Sequence, residues 1–202
     1  LIRNPHWQPE RLTHGRADTC FLRDASGTEE KLRRTPMTKE EVREVSICKL
    51  NLTQNAVVYD IGSGTGSVAI EIAGVPGGVQ VYAIERKPEA VELLRKNREH
   101  FRMDNIQIIE APAPEGLEEL PVPTHAFIGG SGGRLLDILQ TLYRKNPHMR
   151  IVINAISMET IAELKEVLDT FPVEEEEILQ MQVSRVKKLL SYHLPQAENP
   201  VW

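Results

Sequence analysis

Apolar positions along the chain alternate between two rhythms. Short apolar runs occupy residues 57–60, 79–84, 106–109, 125–128 and 151–155, each bounded by turn residues. Runs of that length read as buried strands. Between them, apolar positions return every three or four residues, the spacing of a helix with one buried face. Such stretches cover residues 68–73, 90–101, 135–142 and 161–171. Pro88 sits where an N1 proline would open the second of these helices. A further helix precedes the first strand. Thr38 is its expected N-cap, Glu41 completes a capping box, and Val42, Val45 and Leu50 follow at roughly helical spacing. The loop carrying Pro112, Pro114, Pro121 and Pro123 is broken by a helical turn near Leu117.

Strands alternating with helices predict an α/β fold: a mostly parallel, doubly wound sheet with helices on both faces. Residues 177–202 read as two more strands, an antiparallel C-terminal pair that would make the sheet mixed. Residues 1–35 are irregular and polar and read as an N-terminal extension, with ordered structure expected from Pro36. The four glutamates at 174–177 read as a solvated loop.

Composition narrows the function classes. The chain has 202 residues, 41% of them hydrophobic and 26% charged, which suits one folded domain with a short appendage. No run is long or apolar enough to span a membrane, and no apolar run follows a basic start as in a secretory signal, so a cytoplasmic protein is expected. A net charge of −5 lacks the basic footprint of a general nucleic-acid binder. Cys20 and Cys48 have no metal-binding spacing and are expected to be buried or idle thiols; no metal site is expected. The chain opens on Leu1 rather than Met, so it is read as a fragment, a processed form or an excised domain.

The strongest chemical signal is the string Asp60-Ile61-Gly62-Ser63-Gly64-Thr65-Gly66, placed between a strand and a helix. Glycines there permit a tight turn and let a ligand approach the backbone. Glu85 follows about 20 residues on at the end of the second strand, where an acidic side chain can accept hydrogen bonds from ribose hydroxyls. Dinucleotide folds space their third glycine one residue later and hold a pyrophosphate, which Asp60 would repel. S-adenosylmethionine (SAM) carries a sulfonium and an ammonium, so a carboxylate beside it is harmless or helpful. This spacing predicts the class I SAM-methyltransferase form of the Rossmann-like fold, with SAM as cofactor.

Other segments carry a narrower resemblance. PMTKEEVR begins at Pro36, VYAIERKPEA at Val81, and Ala113-Pro114 follows; FIGGSGG begins at Phe127, RIVINA at Arg150, and Asn199-Pro200-Val201 closes the series. In this order they resemble the CbiT family and the C-terminal domain of CobL, which are precorrin methyltransferases of cobalamin (vitamin B12) biosynthesis. The resemblance covers essentially residues 36–202, and PMTKEEVR and FIGGSGG are specific to it. Leu1 to Pro5 resembles the last strand of a CbiE-like methyltransferase domain, so residues 1–35 are expected to be a linker from such a preceding domain and 36–202 the class I methyltransferase domain. Arg16-Ala17, Ala111 and Pro147-His148-Met149 depart from the family pattern, in loops or in the linker.

The resemblance implies methylation of meso carbon 15 of a precorrin-6-type tetrapyrrole, decarboxylation of its carbon-12 acetate, and a homotetramer. It implies that Thr38 contacts SAM, that Gly62, Ser63, Gly64, Thr65 and Gly66 hold its amino-acid portion, that Glu85 binds the ribose, and that Ala113 approaches the adenine. Gly129, Gly130, Ser131, Gly132 and Gly133, just after the fourth strand, are expected to offer N–H groups to a substrate carboxylate and to admit a bulky flat ring. The substrate's carboxylates call for cations, for which Arg33, Arg34, Lys39, Arg134, Arg185, Lys187 and Lys188 are candidates. None of His125, His148 and His193 is expected to be catalytic, and no acid or base is singled out. The pattern alone leaves open a class I methyltransferase for another small molecule, a non-catalytic SAM-binding domain, and a nicotinamide-dependent oxidoreductase, which the glycine spacing disfavours.

Overall fold

In a computed structural model, residues 15–23, 35–189 and 191–202 are described. Arg33, Arg34 and the Leu1 to Pro5 segment lie outside these residues. Five parallel strands form the central sheet: β1 (Val57–Ile61), β2 (Gln80–Glu85), β3 (Ile106–Glu110), β4 (His125–Ile128) and β5 (Arg150–Ile153). Their order is β3-β2-β1-β4-β5, so the connections leave β1 toward one edge and then return across it to the other. Helices α1 (Glu40–Leu50), α2 (Ser67–Ala73), α3 (Pro88–Phe101), α4 (Leu135–Lys145) and α5 (Met158–Leu168) cover the two faces.

The period-two alternation of the strands sorts the core. Val58, Val81, Ala83 and Phe127 pack with Ile47, Leu50, Ile70, Ile72 and Leu94 of α1, α2 and α3. Their neighbours Tyr59, Ile61, Ile84, Ala126 and Ile128 face the other way, onto Leu135, Ile138, Leu139, Leu142 and Val167 of α4 and α5. A ligand site is expected where the strand order reverses, outside the carboxyl ends of β1 and β4.

Local chemistry explains most boundaries. Pro88 stands in the first turn of α3, and the helix ends on Arg102 in the left-handed conformation. Ser157 caps α5 by accepting from Thr160 N–H at 3.2 Å. The expected cap of α1 is different: Lys39, not Thr38, is the N-cap, and no side chain caps it. The buried Arg43 causes this, because its Nη1 donates to the Thr38 carbonyl at 2.7 Å and holds residue 38 outside the helix. Glu40 and Glu41 in the first turn complement the helix dipole instead.

Strands β6 (Ser184–Leu189) and β7 (Tyr192–Ala197) form the expected antiparallel pair, but as a sheet of their own. The central sheet is therefore purely parallel, not mixed. Pro195 has no N–H with which to extend a ladder, and both strands are largely exposed. The chain returns to β5 only beyond the pair, where Ala155 and Trp202 exchange two backbone hydrogen bonds of 2.9 Å.

Two expectations about the periphery change. Residues 15–23 pack onto the domain: Phe21 joins the core, Arg16 pairs with buried Glu71 at 2.8 Å, and Asp18 pairs with Arg43 at 3.3 Å. Cys20 and Cys48 are both free and exposed, so neither is a buried thiol. Among the described residues no helix is long and apolar enough to cross a membrane.

Candidate active site

The glycine turn leaves β1 with Gly62, Gly64 and Gly66 at φ of +75°, +56° and +77°, where side chains are strained. Each glycine also answers a different contact. A Cβ on Gly62 would lie 2.8 Å from the Gly130 carbonyl oxygen, and one on Gly64 would lie 2.9 Å from that of Pro36. The turn is thus pressed between the segment entering α1 and the loop after β4. At Gly66 a Cβ would meet Leu94 Cδ1 at 2.0 Å, so the third glycine serves close packing of α2 on α3.

Two acidic residues flank the turn in opposite states. Asp60 is fully buried; its Oδ2 accepts from Ala69 N–H at 3.1 Å near the start of α2, while Oδ1 has no partner. Burial pushes its carboxyl up to about 7; the Ser63 hydroxyl beside it and the Ala69 N–H oppose this, and the nearby Glu85 charge reinforces it. The Glu85 carboxylate is well satisfied: Oε2 accepts from Gly64 N–H at 3.0 Å, and Oε1 from Arg86 and Lys87 N–H at 2.9 Å each. It latches the end of β2 to the glycine turn. Three of its roughly four acceptor positions are occupied, leaving one open for a further donor.

A cleft of about 450 Å³ opens at this end of the sheet. Of the expected residues, Thr38, Gly62, Ser63, Gly64, Glu85, Ala113, Gly129, Gly130, Ser131, Gly132 and Arg134 line it. Asp60, Thr65, Gly66 and Gly133 do not; the first two are fully buried beneath the turn. Sequence reasoning assigned no role to Pro36, Met37, Asn154 or Val201, which also line the cleft and whose only signal was their place in the family-like segments. It missed Ile156, Met181 and Val183 altogether. A second hollow of about 500 Å³, at the β2–β3 edge, contains none of the expected residues.

The loop after β4 is held from α5. Ser131 Oγ donates to Glu163 Oε2 at 3.1 Å, and Leu135 N–H, which opens α4, donates to Glu163 Oε1 at 2.6 Å. The expected substrate cations fare unevenly. Arg134 is committed to Glu115 at 2.6 Å and Asp137 at 3.2 Å, Lys39 lies 3.7 Å from Asp18, and Arg185 pairs with Glu41 at 2.6 Å. Lys187 and Lys188 project from β6 and do not line the cleft. His125 is buried at the amino end of β4 beside Thr124 Oγ1, and burial lowers its pKa; His148 and His193 are exposed.

Comparison with known proteins agrees with this geometry. The family model described as "Precorrin methyltransferase domain" matches residues 33–202. A Sulfolobus acidocaldarius protein named probable cobalt-precorrin-6B C(15)-methyltransferase (decarboxylating) is 38% identical over 193 residues, covering 93% of this chain and 94% of its own. The Salmonella typhimurium cobalt-precorrin-6B C(15)-methyltransferase (decarboxylating) is 35% identical over 186 residues, 92% of each chain. The crystal structure of a precorrin-6y C5,15-methyltransferase from Geobacter metallireducens superposes with a TM-score of 0.79 at 34% identity, covering 95% of this chain and 96% of that one. With its parallel five-stranded sheet, its glycine turn and these matches, the chain belongs to the precorrin methyltransferase family, a group of class I methyltransferases.

Proposed function

We propose that this protein is the SAM-dependent C-methyltransferase of cobalamin biosynthesis that methylates meso carbon 15 of a precorrin-6-type tetrapyrrole and decarboxylates its carbon-12 acetate. The observation that carries the reading is the cleft at the switch point, lined by the glycine turn, Glu85 and residues 129–132. The chain's groups fit SAM. Side chains at Gly62 and Gly64 would collide with the neighbouring walls, and Glu85 retains an open acceptor position for a ribose hydroxyl. Thr38, residues 62–64, Glu85 and Ala113 would hold the cofactor, and Asp60, Thr65 and Gly66 would shape the turn from below.

SAM supplies the transferable methyl group on its sulfonium. The protein's own contribution is positioning and exclusion of water. Glu163 fixes the loop after β4 through Ser131 and Leu135, so the glycine rim keeps its shape while a planar ring approaches. The electron-rich macrocycle needs no strong base before methylation and releases one proton after it; its conjugation accepts the electron pair released with carbon dioxide, and that pair returns to the former acetate carbon as it takes up a proton. Arg43 ties the Thr38 carbonyl to the Asp18 carboxylate and so fixes the wall opposite the rim.

Assembly as a homotetramer belongs to the same proposal. The exposed Val186, Leu189, Tyr192 and Leu194 of the β6–β7 pair support self-association, which light scattering would report. The test of the function is incubation with SAM bearing an isotopically labelled methyl group and cobalt-precorrin-6B, beside calorimetric titrations with SAM, S-adenosylhomocysteine and NAD. Label in the tetrapyrrole and binding of the first two ligands only are expected. Good turnover of an unrelated small molecule with none of any precorrin would favour a different methyltransferase; NAD binding would favour an oxidoreductase.

A further inference from the structure

Among the described residues that line the cleft, one arginine has no carboxylate partner. Arg86 follows Glu85 directly, at the carboxyl end of β2, and its backbone N–H is fixed on the Glu85 carboxylate at 2.9 Å. Its side chain is exposed and lines the cleft. A Cβ built on Gly132 would lie 3.4 Å from both Nη atoms and 3.5 Å from Cζ, so the guanidinium lies against the Gly132 backbone across the rim. Gly132 has φ of +62°, which suits glycine, and the missing side chain leaves the guanidinium that place. No carboxylate pairs with Arg86 among the described residues, whereas Arg134 on the same rim is held by both Glu115 and Asp137.

We propose that Arg86, and not Arg134, receives a carboxylate of the tetrapyrrole at the mouth of the cleft. This rests on the substrate class proposed above. The guanidinium fork matches a carboxylate with two parallel N–H donors, and its contact with Gly132 limits the rotamer freedom that binding would otherwise remove. Arg134 would have to break two ion pairs to do the same. Glu85 and Arg86 thereby divide the work of adjacent positions: the carboxylate turns inward to the glycine turn, and the guanidinium turns outward to the substrate.

The test compares Arg86→Gln, Arg86→Lys and Arg134→Gln, with Arg144→Gln, on the outer face of α4, as a control for the lost charge. Arg86→Gln is expected to raise the Michaelis constant for cobalt-precorrin-6B about tenfold or more, Arg86→Lys to recover part of that, and the other two to stay within about twofold. Affinity for S-adenosylhomocysteine is expected to be unchanged in Arg86→Gln, because the cofactor's own carboxylate is the competing candidate. An equal loss of S-adenosylhomocysteine affinity, or a larger effect from Arg134→Gln, would overturn the assignment. A second arm measures uroporphyrin, a polycarboxylate tetrapyrrole, by fluorescence anisotropy. If the wild type turns over no precorrin yet binds uroporphyrin through Arg86, the proposed function falls and the carboxylate site stands. If Arg86→Gln binds uroporphyrin as the wild type does, or the wild type binds none, the site falls.

Discussion

Replacing Glu85 by alanine is expected to do two separable things. The carboxylate accepts three backbone N–H groups, from Gly64 at 3.0 Å and from Arg86 and Lys87 at 2.9 Å each, and Glu85 is only 8% exposed. Net contributions of about 1.5–3 kcal/mol apply to each bond to a charged group, but water can reach Arg86 and Lys87 once the side chain is gone. The surviving loss is on the order of 3 kcal/mol, or a fall in melting temperature of about 6–12 °C for a domain of this size. Cofactor affinity should fall independently by roughly 1–3 kcal/mol, about 5- to 150-fold, because ribose hydroxyls would lose their acceptor. Glu85→Gln keeps one acceptor oxygen but turns its NH2 toward an N–H donor, so an intermediate stability is expected. Thermal unfolding without ligand and calorimetry with SAM separate the two effects. An unchanged melting temperature in Glu85→Ala would refute the latch, and unchanged SAM affinity would remove Glu85 from the cofactor site.

Three further outcomes follow from neighbouring groups. Asp60, raised to about 7 from 3.8, holds its proton more tightly folded than unfolded, so its contribution is complete below about pH 4 and is lost as pH rises through 7. Denaturant unfolding should show the wild type losing on the order of 4 kcal/mol over that window relative to Asp60→Asn, and parallel pH profiles would contradict it. Gly66→Ala should destabilise by roughly 1–3 kcal/mol through the clash with Leu94 and the left-handed backbone while the folded protein keeps its SAM affinity; a normal melting temperature would show that Leu94 yields freely. Arg43→Met should cost about 3–5 kcal/mol by leaving buried Glu71 with less compensation, and should also weaken SAM binding by loosening Thr38; stability lost with affinity intact would leave Arg43 a purely structural role.

The sheet, its helices and the glycine turn were legible because each is written in a local period or a local string of residues. His125–Ile128 needs only four consecutive apolar-compatible residues between turns, and Pro88 marks its helix by its own ring. The features that were not legible depend on contacts that only the folded chain makes. Thr38 is a good cap by propensity, yet a buried arginine five residues on takes its carbonyl. Arg134 is a candidate for the substrate's carboxylates by its place after the glycine loop, and only the fold brings Glu115 beside it. The wall containing Met181, Val183 and Val201 exists because Ala155 pairs with Trp202 beyond β5, a register that no local pattern specifies. Phe21 lies in a polar stretch, so only the folded core reveals it as apolar packing for α1 to α3.

The most direct measurement is the mass spectrum of the tetrapyrrole recovered after incubation of the protein with SAM and cobalt-precorrin-6B. One product is expected, which has gained a CH2 unit and lost a CO2 unit in the same molecule, with S-adenosylhomocysteine formed in equal amount. Methylation without loss of carbon dioxide would retain the methyltransferase and exclude the decarboxylase, and an unaltered tetrapyrrole would overturn the proposed function.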